Sequence, residues 1–124
     1  MRECSPLDVL SNVLDDLPDM AFAFSADARH LYVNKAAGAF LGDDPLDVIG
    51  SHWRDMGYPA EVMEPIEALI VEVAETCTPA RHRFTSSPER GARTFDMSLT
   101  PLWCDDEMIA VLAIAHDISE FTRD

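Results

Sequence analysis

Twenty residues near the end of the chain determine its architecture: Pro101-Leu-Trp-Cys-Asp-Asp-Glu-Met-Ile-Ala-Val-Leu-Ala-Ile-Ala-His-Asp-Ile-Ser-Glu120. Two apolar runs flank an acidic segment at residues 104–107, and adjacent Asp residues are typical of tight turns. The pattern predicts two long strands joined by a hairpin turn. The second strand carries Ala110, Ala113 and Ala115 where a packed strand usually has larger side chains. We therefore expect another group to lie against it.

The composition indicates one folded domain and excludes several classes of function. With 124 residues, of which 48% are hydrophobic, the chain can bury a core. Its net charge of −14 argues against nucleic acid and anionic membrane surfaces, because both require clustered cations. Three cysteines without a CxxC pair, and an amino-terminal segment without an apolar signal core, favour a reducing, cytoplasmic location. No apolar run approaches the ~18 residues of a membrane span.

Residues 1–18 predict a flanking helix. Ser5-Pro6 suits a helix start, and Pro18 ends the pattern. Leucines recur along it at three- and four-residue steps: Leu7, Leu10, Leu14 and Leu17. Such a stripe must be buried, either on the domain's own sheet or against a second copy of the chain. We take it as the candidate contact of a homodimer.

The next segment predicts two strands and a short helix. Residues 20–25 alternate with Met20, Phe22 and Phe24 on one face, and residues 30–33 return as a second strand. Asn34 suits the N-cap of a helix over residues 35–41, because its side chain can accept a backbone hydrogen bond. Gly42 suits the end of that helix.

The second half of the chain predicts one long helix and three strands. Short helical turns over residues 43–58 lead to an amphipathic helix over residues 59–77. Pro65 predicts a kink in it, or a later start at Glu64. Three strands follow, at about residues 80–86, 92–102 and 108–117. A helical block between two runs of strands predicts an α+β fold, with helices on one face of an antiparallel sheet.

These elements and their short motifs resemble a PAS domain that ends in a PAS-associated carboxy-terminal motif. The matching motifs are Leu17-Pro18-Asp19, Val33-Asn34-Lys35-Ala36-Ala37, Leu41-Gly42, Ile49-Gly50, Pro101 and Asp117-Ile118-Ser119. The resemblance covers nearly the whole chain after residue 15. It implies a PAS-like five-stranded antiparallel sheet with a helical block on one face and an amino-terminal flanking helix. Within a single domain, residues 1–124, the helix would occupy 1–18, the PAS core 19–119, and the start of an output linker 120–124.

Departures from the family bear on possible cofactors. Ser25 and Ala28 replace the usual acidic residue and glycine of the first turn, and Ser119 replaces a threonine but keeps a hydroxyl. A flavin photoreceptor would carry a reactive cysteine in the helical block, whereas Cys77 lies at the far end of the long helix. A haem sensor would usually carry an axial His on that helix, which has none. These differences argue against flavin and haem and leave any cofactor unknown.

Strand alternation, anchored on the resemblance, predicts the side chains that line a cavity between sheet and helices. The candidate ligand-binding residues are Phe22, Phe24, Trp53, Ile66, Ile70, His82, Phe84, Phe95, Met97, Ala113 and Ala115. His82 is the one ionisable member of this set. An aromatic-rich apolar wall suits a small apolar or aromatic ligand. The alternative is that these side chains fill one another's space.

The sequence lacks the patterns of catalytic and metal sites. The four histidines share no ligand spacing, and no nucleophile elbow, phosphate loop or zinc-protease motif occurs. A proton-abstracting enzyme of the cone-shaped α+β kind would need a carboxylate inside the cavity, but alternation turns Asp96 outward, opposite Arg83. We predict a non-catalytic domain without a metal site, of the kind found in larger histidine kinases or cyclic-dinucleotide enzymes.

The resemblance assigns the output to the end of the last strand. Asp117, Ile118 and Ser119 stand where, in the family, the sheet is coupled to an output helix. The sequence therefore predicts a cytoplasmic sensory domain, as in two-component systems, that binds a small ligand and signals through dimer geometry. Its output partner would be a kinase, cyclase or regulator domain in cis or in trans. The alternative is a ligand-free PAS dimerisation module.

Overall fold

A computed structural model of the chain describes residues 12–42, 44–86 and 93–119, with only the backbone of Pro45, Leu46 and Cys104. The described strands are β1 (Met20–Phe24), β2 (His30–Val33), β3 (Ala80–Thr85), β4 (Thr94–Cys104) and β5 (Glu107–Asp117). The described helices are α1 (Lys35–Leu41), α2 (Pro45–Val48), α3 (Trp53–Met56) and α4 (Ala60–Thr76). Of the predicted flanking helix only the end is described, and residues 12–14 are helical.

The strands form one antiparallel sheet in the order β2-β1-β5-β4-β3, which confirms the predicted fold class. β4 and β5 flank a tight turn at Asp105 and Asp106, as the acidic segment predicted. Asp105 has a φ of 56°, a left-handed conformation that Asp tolerates better than most residues. Pro101 lies beyond Leu99, where the pairing of β4 with β3 ends, so its missing N–H removes no bond to β3.

β1 lies between β2 and β5, and all of its residues are buried. On the helix-facing side, two of its three large side chains stand opposite alanines of β5, and Phe24 stands opposite Val111. Phe22 is opposite Ala113, and Met20 is opposite Ala115. The space that the alanines leave is therefore used by the neighbouring strand of the same chain.

The helices cover one face of the sheet. α4 turns Ile66, Ile70 and Val73 toward the sheet, where they join the apolar residues of β1, β4 and β5 in one core cluster. α1 starts at its Asn34 cap and ends at Gly42, whose φ is 79°, as predicted. In the part of the chain that the structure describes, no helix has both the length and the apolar character needed to cross a bilayer.

α4 begins at Ala60 and contains Pro65 in its second turn, so the alternative start at Glu64 is wrong. Proline at this position cannot donate to the carbonyl of Glu61 one turn earlier. Glu61 and Pro65 are both exposed, so water can donate a hydrogen bond to the Glu61 carbonyl. The helix therefore continues through the proline.

The face of the sheet opposite the helices carries a second apolar cluster. Leu14 is buried there and Leu17 is partly buried, in a cluster whose other buried members are Ala21, Ala23, Tyr32 and Ala110. The leucine stripe was expected to pack either on the domain's own sheet or against a second copy. Its described end, Leu14 and Leu17, packs on the domain's own sheet. Leu7 and Leu10 lie outside the described residues.

The side chain of Asn34 joins three segments of the chain. Its Oδ1 accepts hydrogen bonds from the backbone N–H groups of Ala21 and Ala37, both at 3.0 Å. Its Nδ2 donates to the carbonyls of Leu14 at 2.9 Å and Asp19 at 3.0 Å. The residue is completely buried, and its amide makes all the bonds that its two donors and two lone pairs allow. The N-cap bond predicted from the sequence is therefore one of the four hydrogen bonds that the Asn34 side chain makes.

Replacing Asn34 by Ala should lower the free energy of unfolding by about 2–4 kcal/mol, because several backbone groups lose their partners in a buried site. Urea unfolding followed by circular dichroism measures the change. The matched control is Lys35→Ala at the next, exposed position, which should stay within about 0.5 kcal/mol of the parent. A loss of that small size in Asn34→Ala would contradict the assigned network.

Candidate functional site

A cavity lies between the helix-facing side of the sheet and helices α1 and α4. It offers about 70 Å³ to the centres of water-sized spheres. Its wall is formed by Met20, Phe22, Phe24, His30, Phe40, Leu41, Tyr58, Pro59, Val62, Met63, Ile66, Phe84, Ser86 and Met97. Most of these side chains are aliphatic, aromatic or thioether groups, so the cavity is suited to an apolar molecule.

Some of the residues predicted to bind a ligand line this cavity, and others do not. Those on the wall are Phe22, Phe24, Ile66, Phe84 and Met97. Those elsewhere are Trp53, Ile70, His82, Phe95, Ala113 and Ala115. Alternation predicts the face of a strand, and the strand residues of both groups lie on the predicted face. It does not predict which part of that face is filled by neighbouring side chains.

The strand residues outside the wall have specific neighbours. Phe95 packs edge-on against Phe40, with ring centroids 5.3 Å apart, and so fills the space next to α1. Ala115 lies opposite Met20 of β1 in the core. His82 stacks on Phe84 at 6.0 Å, on the edge strand β3. Only the Phe84 ring of this stacked pair reaches the cavity wall.

Trp53 is buried but does not line the cavity. Its indole N–H has a hydrogen-bond partner on α4. Its Nε1 donates to Oε1 of Glu67 at 2.7 Å. Nε2 of His52 lies 3.2 Å from the same oxygen, and the Arg54 guanidinium stacks on the indole at 4.6 Å. A buried Trp usually requires such a hydrogen-bond acceptor. The residue therefore fastens α3 to α4.

Several wall residues were missed by sequence reasoning. Val62 shares the apolar stripe of Ile66 on α4, so the helical period contained a signal for it. Ser86 follows β3 and His30 opens β2 beside a turn, and polar residues at strand ends are ordinarily exposed. No local pattern distinguishes these two from solvent-facing residues.

His30 is a buried histidine on the cavity wall, with 1% of its surface exposed. Its Nδ1 lies 2.9 Å from the carbonyl oxygen of Ser51. Because a carbonyl only accepts, Nδ1 carries the proton, and Nε2 of the neutral ring is an acceptor. The ring packs on Phe24 at 5.0 Å between centroids. Burial lowers the pKa of His30 below its ordinary value despite the bond to Ser51, so the ring is neutral near pH 7.

The predicted output residues form a hydrogen-bonded group at the end of β5. Asp117 Oδ1 accepts from the backbone N–H of Ser119 at 2.9 Å and from its hydroxyl at 2.7 Å. Arg93 Nε donates to Asp117 Oδ2 at 2.6 Å, and the Ser119 hydroxyl oxygen accepts from the N–H of Thr94 at 2.9 Å. Although partial burial opposes it, these donors hold the pKa of Asp117 below its ordinary value.

The same end of the sheet joins the segment before β1 to the end of β5. His116 Nδ1 lies 2.8 Å from Asp19 Oδ1, and this hydrogen bond, with the charge of Asp19, raises the pKa of His116. Asp19 also lines a second cleft of about 160 Å³, whose wall combines apolar and charged side chains. It is lined by Pro18, Asp19, Met20, Ala36, Phe40, Arg93, Phe95, Ala115 and Asp117.

The outward face of β3 and β4 holds Asp96, as predicted. Asp96 is opposite Arg83 in the strand register, but it forms its ion pair with Arg81, at 2.6 Å. The thiol of Cys77 is exposed and free. Within residues 12–42, 44–86 and 93–119, no three His, Cys, Asp or Glu side chains are grouped so that they could hold a metal ion.

The sequence profile of the PAS-fold family matches residues 14–123, and the chain belongs to that family. PAS domains are sensory modules of signalling proteins rather than catalytic ones. No curated protein gives a sequence match.

Solved structures show the same fold at low sequence identity. The PAS domain of BvgS from Bordetella pertussis aligns with a TM-score of 0.76 and 18% identity, over 90% of this chain and 85% of that one. The VqmA dimer of Vibrio cholerae gives 0.79 and 17% identity, over 95% of this chain and 53% of VqmA. The PAS domain of the histidine kinase ThkA aligns with a TM-score of 0.65 and 22% identity, over 80% of this chain and 99% of the ThkA domain.

Lowering the pH should reduce stability through His30. The ordinary pKa is 6.5 and the folded value is lower, so the unfolded chain binds the proton first as the pH falls. His30 therefore leaves stability unchanged above about pH 6.5, and the free energy of unfolding falls from there down to the lowered folded pKa. Urea unfolding at pH 7.5 and 5.5 measures this loss, which should be smaller in His30→Phe. Equal losses in both proteins would contradict it.

Proposed function

We propose that this PAS domain binds a small apolar or aromatic ligand in the cavity between the sheet and helices α1 and α4. The observation that carries the proposal is the wall itself: aromatic rings from β1 and β3 and aliphatic and thioether side chains from α4 line one partly open cavity beside the core. Filled cores leave few voids larger than a water molecule. An apolar cavity of this kind favours an apolar ligand over water.

The size of the cavity limits the ligand to a small molecule. Its 70 Å³ is below the ~150 Å³ of an engineered apolar cavity that binds benzene. Three methionines, Met20, Met63 and Met97, form part of the wall. Their flexible side chains can change rotamer at little cost, so the cavity can enlarge around a ring-sized ligand.

The structural relatives support a ligand-binding and dimeric sensor. One VqmA structure, with a TM-score of 0.78 and 18% identity to this chain, is of VqmA bound to DPO. Another is of the VqmA dimer, and ThkA is a histidine kinase. By analogy, the present chain would serve a cytoplasmic kinase, cyclase or regulator, in cis or in trans.

The outer face of the sheet is the proposed homodimer contact. Leu14 and Leu17 begin an apolar cluster there, and Val13 beside them is 62% exposed. The leucine stripe continues toward Leu10 and Leu7 in the sequence. A second copy that covers this surface would bury the exposed apolar groups. Ligand-induced changes in the sheet would then alter the dimer, and the Asp117–Ser119 group would transmit them to the output.

A ligand-free dimerisation module is the second candidate function. It is favoured by the small cavity volume, because modest movements of the three methionines would fill the space as easily as a ligand would. The two functions differ in whether protein purified from cells carries a bound molecule.

Native mass spectrometry of protein purified from cells should show an additional mass that is absent from the denatured chain. Val62→Phe should abolish it, because the larger ring occupies the cavity from α4. Val71→Phe, on the same helix but outside the cavity wall, is the matched control and should retain the extra mass. Equal native and denatured masses for the parent protein would favour the ligand-free module.

Replacing Leu10 and Val13 by Lys should convert the dimer into a monomer, because two charges would enter the proposed contact. Light scattering should then give a mass near the 13.8 kDa of one chain, where the parent gives twice that value. Leu14 is left unchanged because it is buried in its own domain. Ile49→Lys, at an exposed apolar residue elsewhere, should leave the dimer intact. A dimer that survives the double change would exclude this contact.

A further inference from the structure

His30 belongs to the wall of an apolar cavity, and its Nε2 is a buried acceptor. The Nδ1 proton is taken by the carbonyl of Ser51 at 2.9 Å, which leaves Nε2 as the remaining polar atom of the neutral ring. In the described part of the chain, no residue donates a hydrogen bond to Nε2. Buried polar atoms without a partner are rare in folded proteins, and each one requires an explanation.

We propose that the cavity selects a small apolar ligand with a single hydrogen-bond donor, an O–H or N–H group that reaches Nε2 of His30. The inference rests on the proposed ligand binding and names the chemical class of the ligand: alcohols, phenols and N–H heterocycles. A purely hydrocarbon ligand would leave Nε2 unpaired, and sites with an unpaired polar group discriminate against such analogues.

The remainder of the wall favours a ligand without charge. It carries no Asp, Glu, Lys or Arg side chain, so a charged ligand would be buried without a counter-ion. One lone pair of the Ser86 hydroxyl oxygen is engaged, since it accepts from the backbone N–H of Arg93 at 2.9 Å. The rings of Phe22 and Phe24 lie 5.8 Å apart near His30 and provide an apolar surface for the body of the ligand.

Backbone hydrogen bonds and neighbouring rings hold His30 in one orientation. The N–H of His30 donates to the Ser51 carbonyl at 3.0 Å, and its own carbonyl accepts from the N–H of Gly50 at 2.6 Å. The ring is packed by both phenylalanines of β1. The ring is therefore ordered before a ligand arrives, which reduces the entropy lost on binding.

Phenol and toluene test the proposal, because they share a heavy-atom frame and differ in the donor. Their dissociation constants are measured by NMR titration at pH 7.5, for the parent protein and for His30→Phe. Toluene partitions more readily out of water, so the informative quantity is the ratio of the toluene constant to the phenol constant. That ratio should fall about threefold to tenfold in the variant, as expected for the loss of one hydrogen bond. His82→Phe, a matched change outside the cavity wall, should leave the ratio unaltered.

A second readout uses the unmodified protein, in case the variant does not fold. The ¹⁵N resonance of His30 Nε2 should move when phenol binds and stay in place when toluene binds. Binding of both probes with an unchanged ratio and an unmoved resonance would overturn the donor inference and leave ligand binding in the cavity intact. Binding of neither probe would count against the cavity as a ligand site and so against both proposals.

Discussion

The amide of Asn34 is the constraint on which the arrangement of the sheet and α1 depends. It bonds the first residues of β1, the first turn of α1 and the carbonyls of the segment that precedes β1. A side chain without both donors and acceptors could not satisfy these groups in a site that water does not reach. The position of α1 over the sheet follows from it, and α1 in turn supplies Phe40 and Leu41 to the cavity wall.

The cavity itself results from the relative sizes of side chains on adjacent strands. Alanines on β5 stand opposite Phe22 and Met20, and the cavity wall combines methionines with the branched residues Val62 and Ile66 of α4. The three methionines contribute unbranched thioether chains to this layer, and such chains can adapt their shape to the space available.

The sequence predicted the features that local patterns determine, namely strand faces and helix caps. It missed the roles of side chains whose partners are distant in the sequence. A period of two indicated the helix-facing side of β1, and the Asn34 and Gly42 caps placed α1, because those signals lie within a few residues. Trp53 was assigned to the cavity because apolarity alone does not reveal that its N–H would find Glu67 on another helix. His82 was preferred over His30 for a similar reason: burial of His30 is decided by β1 rings and a Ser51 carbonyl, which no nearby pattern indicates.

The pairing of β1 with β5 has a consequence for how the chain reaches this structure. β1 with β2, and β4 with β5, are hairpins whose partners are close in sequence, whereas β1 meets β5 from opposite ends of the chain. The entropy of loop closure grows with the length of chain enclosed, and long-range pairings slow folding. The five-residue pairing of β1 with β5 therefore carries a larger entropic cost of loop closure than either hairpin. The small side chains of Ala113 and Ala115 leave room for the larger side chains of β1 in that pairing.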